Sequence, residues 1–445
     1  MSKTAGMAAA AGMFSTARDR SSGAVKRPVE YSILYTATLC MLAVGAVMVY
    51  SASSAESLLA AGDPATYLKR YVLFGMVGVG ALFFLSRHGL SLVRNAAPML
   101  LAVGFVLTLA VSIPGVGVEV NGAKRWLGAG PLQFQPSELL KLALVLYAVH
   151  ILALRPKSVR SMGTLARPLL LVVGAACAVL MAQPDMGTAL VVCGSIGALL
   201  IAAGTPIRLI GTMFAGLAGA ALVLAVIEPY RMARLTAFID PFSDAGGSGF
   251  QAVQALTAIG SGGLFGVGLG ESVQKIFYLP EAHTDMILAI IGEELGLAGI
   301  VGVACLYGLI GYAGLRTAKA AGDRYSKLLA AGLTSLILFQ ASLNLFAVLG
   351  LAPLTGVPLP FISYGSTNLI VLMAAMGLLL NVAATGGLSA KAAKPRSNRA
   401  QPAEPAASPK LWAIDGGRGD QNRDSRGRDS RARGARSGRG GRAAG

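Results

Sequence analysis

The sequence predicts an all-α integral membrane protein with about ten transmembrane helices and a large outer loop between helices 7 and 8. Three observations carry this expectation. Of 445 residues, 54% are hydrophobic and only 13% charged, about half the charged share of an ordinary soluble domain. Apolar runs of about 20 residues recur along the chain, the length needed to cross a bilayer core. The net charge of +17 is concentrated at the ends, with +3 in residues 1–30 and +9 in residues 386–445. Three regions follow: a cytoplasmic N-terminal tail (1–30), a membrane domain (31–385) and a basic cytoplasmic tail (386–445). The last is rich in Ala, Gly, Pro, Ser and Arg and is expected to be disordered. Basic ends of this kind suit anionic membrane lipids. No nucleic-acid partner is expected from the Arg/Gly stretch Arg423 to Arg442.

The spans fall at roughly 31–50, 71–86, 99–112, 138–154, 167–183, 186–204, 209–227, 286–315, 328–350 and 366–385. The third is short, and the eighth is long enough to tilt or to project from the bilayer. The first 30 residues are polar and the first apolar run outlasts a signal-peptide core, so no cleavable leader is expected. Connections after the even spans carry Arg87, Arg94, Arg155, Lys157, Arg160, Arg208, Arg316, Lys319, Arg324 and Lys327, with Asp323 as their only acid. The positive-inside rule therefore places those connections and both termini in the cytoplasm. Loops 113–137, 228–285 and 351–365 then face outward. In the largest loop Phe250, Val253, Leu256 and Ile259 recur at helical spacing, which suggests a short helix along the outer interface. The glycines from Gly262 to Gly270 read as backbone turning or close packing; no strand precedes them, as a dinucleotide loop would require. Cys40, Cys177, Cys193 and Cys305 each lie in an apolar run and read as small hydrophobes.

Ionisable groups at membrane depth are costly and invite a functional reading. Glu138 and Lys141 open span 4 three residues apart, on one helical face. They read equally as a satisfied buried ion pair and as substrate contacts. Asp285 stands at the outer mouth of span 8 with Glu293 inside it. Eight helical residues place the two about 80° and 12 Å apart, so that both can line one cavity. Glu294 points the opposite way, toward a structural role. Lys124, Arg125 and Trp126, together with Arg231 and Arg234, gather cations and an aromatic ring in the outer loops. Such cations bind lipid phosphates or grip a pyrophosphate leaving group. Glu281, His283 and Asp285 alternate and offer mixed ligands to a divalent cation, Mg or Mn; no other cofactor is expected. Gly292-x-x-x-Gly296 in span 8 permits close helix approach, either within the chain or to a partner.

Five stretches together resemble the SEDS family (FtsW/RodA/SpoVE). They are Asn121-Gly122-Ala123-Lys124-Arg125-Trp126, Phe134-Gln135-Pro136-Ser137-Glu138-Leu139-Leu140-Lys141, Gln183-Pro184-Asp185-Met186-Gly187-Thr188, Tyr278-Leu279-Pro280-Glu281-Ala282-His283-Thr284-Asp285, and Thr355-Gly356-Val357-Pro358-Leu359-Pro360-Phe361-Ile362-Ser363-Tyr364-Gly365. The resemblance runs from about residue 31 to 385. Leu269-Gly270-Glu271-Ser272-Val273-Gln274-Lys275 and Ala282 before His283 look more like the division branch, FtsW, than the elongation branch, RodA. Ser366-Thr367-Asn368 departs from the division pattern of Gly-Ser-Ser.

The resemblance implies a ten-helix SEDS-type fold and a peptidoglycan glycosyltransferase. Such an enzyme polymerises lipid II on the outer membrane face during septal wall synthesis, with undecaprenyl pyrophosphate as leaving group. It implies Asp285 as the essential aspartate. The donor linkage is α and the product β-1,4, so one inversion requires one general base and no covalent intermediate. It further implies a class B penicillin-binding protein and other divisome proteins as partners, at the septum. Competing readings are a lipid II flippase, an elongation-type polymerase or a sporulation paralogue. The outward clustering of polar groups favours chemistry over transport.

Overall fold

The computed structural model describes residues 27–392, apart from 121, 130, 131, 166–168 and 228. Of residues 61, 120, 129, 132, 158, 160, 220–227, 229–231 and 387–392 it describes the backbone alone. Residues 393–445 and nearly all of the N-terminal tail lie outside the described residues. The expectations about the tails therefore fall there.

The helices are α1 Val29–Ala61, α2 Thr66–Ala110, α3 Pro136–Leu154, α4 Leu171–Ala182, α5 Met186–Ala203, α6 Ile207–Ile227, α7 Pro229–Ile239, α8 Phe250–Gly262, α9 Ile287–Ala320, α10 Arg324–Val348 and α11 Ser366–Ala392. Their ends follow from local chemistry. Pro136 opens α3, where its missing N–H costs nothing. Asp185 caps α5 by accepting from Thr188 N at 3.2 Å, and Asp323 caps α10 by accepting from Ser326 N at 3.1 Å. Gly62 and Gly204 close α1 and α5 in the left-handed conformation.

Among the described residues seven helices are long and apolar enough to cross a bilayer, and Leu171–Ala182 and Ile207–Gly219 are shorter apolar helices. The number of crossings is one larger, because α2 doubles back. Straight, its 45 residues would extend about 67 Å, twice a bilayer core. Its two ends instead lie at the same end of the bundle. Tyr71 donates to Phe361 O beside the start of α11, while Thr108 O accepts from Gln183 Nε2, 2.6 Å away, just before α5. Its middle lies at the opposite end: Ser86 O accepts from Asn381 at 2.9 Å, and the Arg94 guanidinium sits 5.3 Å over the Tyr325 ring. One helical element thus supplies spans 2 and 3, and the fifth and seventh expected spans fall on the two shorter apolar helices. Helix α11 continues past the expected boundary at 385.

The loop 113–137, for which the sequence suggested no regular element, holds a small antiparallel sheet: β1 Gly117–Val120, β2 Ala123–Ala129 and β3 Leu132–Phe134 in the order β1-β2-β3. Glu119 faces Lys124 across β1 and β2, a complementary cross-strand pair. The expected helix at 250–259 is α8. All four cysteines are free; Cys177 and Cys193 are half-buried, while Cys40 and Cys305 are exposed on the bundle flank rather than buried.

Helix α9 is broken at Gly296, whose φ is 68°. The freed backbone groups are satisfied by the segment after α8. Val267 N donates to Glu293 O at 3.0 Å, Gly268 N to Glu294 O at 3.1 Å, Leu297 N to Gly263 O at 2.9 Å and Ala298 N to Leu264 O at 3.1 Å. The glycines are therefore used for close approach. A Cβ on Gly296 would press on Gly266 N and Leu264 C, and one on Gly292 would press on Ile259. The Gly292-x-x-x-Gly296 pair is thereby committed to internal packing, and the partner-docking reading of it is corrected. Gly266 has φ +82°, and a Cβ there would overlap the Glu294 carbonyl. Gly266→Ala is expected to destabilise by more than about 1–2 kcal/mol, the left-handed cost alone. Thermal unfolding in detergent, with Gly260→Ala as an uncrowded control, measures it.

Candidate active site

The residues singled out in the sequence separate into two groups. One gathers where the segment before α9, the loop after α10 and helix α7 converge. Asn344, buried on α10, donates its Nδ2 to Asp285 O at 2.7 Å and to Val357 O at 2.8 Å. This ties the Asp285 backbone to the last loop. Gly356 then passes the carboxylate so closely that a Cβ would lie 3.8 Å from Asp285 Oδ2. Thr284 Oγ1 donates to Glu281 Oε2 at 2.6 Å and lies 3.3 Å from Asp285 Oδ1. Glu281 itself holds a left-handed φ of 57°, costly for a non-glycine and of the kind that collects at functional sites.

Asp285 is partly buried. Desolvation pushes its pKa up to about 7, and the neighbouring Glu281 charge adds to the rise; Thr284 and the Arg234 charge oppose it. Arg234, on α7, donates to Leu354 O at 3.2 Å. The Arg231 side chain lies outside the described residues. His283 is buried, its ring 4.3 Å from Tyr67 and its Nδ1 3.4 Å from Glu56 Oε2. Burial lowers the His283 pKa, against the pull of Glu56 and Glu281. Glu281, His283 and Asp285 do not form a common cage. Among the described residues no three His, Cys, Asp or Glu side chains come together to hold a metal.

The second group is structural in its contacts. Lys141 Nζ pairs with Glu138 Oε2 at 2.8 Å, both side chains at most 3% exposed. Lys141 also donates to Gln340 Oε1 at 2.7 Å, and Gln340 Nε2 donates to Pro358 O and Asn368 Oδ1. The ion pair thus braces the last loop from beneath. Glu293 does not share a cavity with Asp285. Its carboxylate accepts from Ser272 Oγ and, at 3.0 Å, from Val273 N. Glu294 pairs with Lys275 at 2.9 Å and accepts from Ser51 at 2.6 Å, as its opposite orientation suggested. Arg125 donates to the carbonyls of Gln183 and Pro184, holding the turn between α4 and α5. Trp126 is half-buried in β2, paired with Val118, and Lys124 is exposed.

Sequence reasoning passed over Asn344, Gln340, Tyr67 and Tyr364. The two amides could have been found by the same rule that found Lys141, since they are polar residues one helical turn apart inside an apolar span. Tyr67 carried no such signal, whereas Tyr364 lay within the fifth of the quoted stretches with no role attached to it.

The FtsW/RodA/SpoVE family, described as cell cycle protein, matches residues 31–386. Stage V sporulation protein E of Bacillus subtilis is 40% identical over 352 residues, covering 79% of this chain and 96% of the relative. The probable peptidoglycan glycosyltransferase FtsW of Thioalkalivibrio sulfidiphilus is 42% identical over 353 residues, covering 78% and 88%. Among solved structures, a chain from a peptidoglycan synthase complex that coordinates polymerization and crosslinking matches with a TM-score of 0.66 at 30% identity, covering 81% of this chain and 98% of that one. The rod shape determining protein RodA of Thermus thermophilus matches with a TM-score of 0.58 at 29% identity, with the same coverage. The helical membrane fold, the five motifs and these matches agree, and the chain belongs to the FtsW/RodA/SpoVE family of cell cycle proteins.

Proposed function

We propose that this chain is a peptidoglycan glycosyltransferase that polymerises lipid II at the outer face of the cytoplasmic membrane, with Asp285 as general base. The observation that carries the reading is the placement of the Asp285 carboxyl, half-buried at the mouth of α9 beside Thr284 and Gly356 with its backbone tied to the last loop by Asn344; desolvation there pushes its pKa up to about 7. A sugar hydroxyl is a poor nucleophile, and a base poised near the working pH is the efficient way to activate it. Asp285 takes the acceptor hydroxyl proton as the oxygen attacks the anomeric carbon of the donor. The pyrophosphate leaves from the opposite side, giving inversion. Arg234 and Lys124 are the cations suited to the departing charge; Arg125 serves by fixing the turn beside them. If a divalent cation, Mg or Mn, takes part, Glu281 is the carboxylate suited to hold it beside the base, and it would neutralise charge on the departing pyrophosphate.

The named activity of the FtsW relatives and the synthase complex supports this reading. The arginine and lysine asymmetry favours cytoplasmic termini. A crosslinking class B penicillin-binding protein is the proposed partner, at the division septum. Purified protein supplied with lipid II, with and without that partner, is expected to form glycan chains. Absence of chains with the partner present would overturn the reading.

The rate carries a pH signature. The base works only when ionised, so kcat/KM should fall as pH drops through about 7 and level off above it. Glu281→Gln removes a like charge that raises the Asp285 pKa, so the same limb should move to lower pH. An unmoved limb would show that it belongs to another group.

A further inference from the structure

Three rings from distant parts of the chain meet beside Asp285. Tyr67 lies in the first turn of α2, His283 stands two residues before Asp285, and Tyr364 ends the last loop. The Tyr67 and His283 centroids are 4.3 Å apart, Tyr67 and Tyr364 4.9 Å, and His283 and Tyr364 5.7 Å. Tyr364 N donates to His283 O at 3.0 Å, which locks the group together. Both tyrosines remain partly open. Glu56, whose side chain is 45% exposed, brings Oε2 to 3.4 Å from His283 Nδ1. His283 is only 6% exposed, and that nitrogen has no hydrogen-bond partner.

Packing alone does not account for this set. Buried polar atoms are normally satisfied, and here a buried imidazole nitrogen without a hydrogen bond faces an open carboxylate. The combination is amphipathic: aromatic surface for apolar C–H faces, with the exposed Glu56 carboxylate as acceptor for hydroxyl and amide groups and the buried His283 nitrogen behind it to orient it. That is the recognition chemistry of a pyranose ring. The Arg70 guanidinium lies 6.0 Å from the Tyr67 ring, so a phosphate is the rival occupant, and competition by pyrophosphate separates the two. His283 and Asp285 are two residues apart, so their backbones are within about 7 Å. A sugar held here lies next to the base.

We propose that Tyr67, His283, Tyr364 and Glu56 form a saccharide-binding wall that holds the N-acetylated amino sugar of the acceptor against Asp285. The proposal rests on the glycosyltransferase reading for its biological meaning, but not for its test.

The probe is a soluble N-acetylglucosamine tetrasaccharide, with binding to the full-length protein in detergent followed by saturation-transfer NMR. Wild-type protein is expected to bind it, with Tyr67→Ala and Tyr364→Ala each weakening binding about tenfold. Tyr67→Phe should bind as wild type, because the ring and not the hydroxyl makes the contact. Inorganic pyrophosphate should not compete. With lipid II as substrate, the same alanine variants should raise KM with kcat nearly unchanged, and their thermal unfolding should match wild type. No tetrasaccharide binding by the wild type, equal binding by the alanine variants, or displacement by pyrophosphate would each overturn the wall. Tetrasaccharide binding in a protein that forms no glycan from lipid II would instead count against the glycosyltransferase reading while leaving the wall in place.

Discussion

Asp285→Asn is expected to reduce glycan polymerisation by about 10²–10⁴, the usual loss when a general base is removed. The amide keeps the shape of the acid and the backbone bond from Asn344 to residue 285, so the site should remain assembled. The stability effect has a defined sign. The folded carboxyl titrates near 7, against an ordinary 3.8, so the native state holds its proton more tightly than the unfolded chain. Native stability from this group is therefore fully present below about pH 4, declines as pH rises from about 4 to about 7, and is gone above that. Above that, the fold carries an ionised carboxylate in a desolvated place. Asparagine mimics the neutral acid, so the variant should unfold at or above the wild-type temperature at pH 8, with the difference shrinking toward pH 5. Lipid II affinity should persist, because the cations assigned to the pyrophosphate are untouched. Wild-type rates in the folded variant would end the general-base assignment. A variant that fails to fold at pH 8 would show that Asp285 is held for structure.

The membrane architecture was legible in the sequence because its physics is local. A bilayer imposes length and apolarity on each span separately, and the expected runs fall on helices, two of them shorter than a full crossing. The junction of spans 2 and 3 was not legible as helix, since Ser86 to Pro98 reads as a polar connection. The sheet at 117–134 escaped because its strands are short and glycine-bearing, with period-2 alternation too brief to register. For the site, position along the chain is enough to set Asp285 and His283 together at the mouth of α9. It failed for Glu293, where helical spacing gave a plausible shared cavity. The break at Gly296 brings in the segment after α8, and the carboxylate is taken by Ser272 and Val273. Which loop will occupy a carboxylate is a tertiary fact, as is the meeting of Tyr67 with Tyr364 across nearly the whole chain.

The ion pair of Glu138 and Lys141 tests how the site is supported. Lys141→Met leaves a carboxylate buried without its cation and strips Gln340 Oε1 of its donor. Breaking one side of such a pair costs about 3–5 kcal/mol, enough to unfold or sharply destabilise the protein in detergent. The double variant Glu138→Gln with Lys141→Met removes both charges at similar volume and should recover most of that loss. The coupling in this double-mutant cycle then measures the pair. Because Gln340 continues the network to Pro358 and Asn368, the folded double variant is still expected to position the last loop less well. Glycan synthesis should fall in kcat more than in lipid II affinity, since Lys141 and Glu138 are sealed beneath the loop rather than open to a ligand. A folded double variant that loses lipid II binding while keeping kcat would reverse this and make the pair a substrate contact.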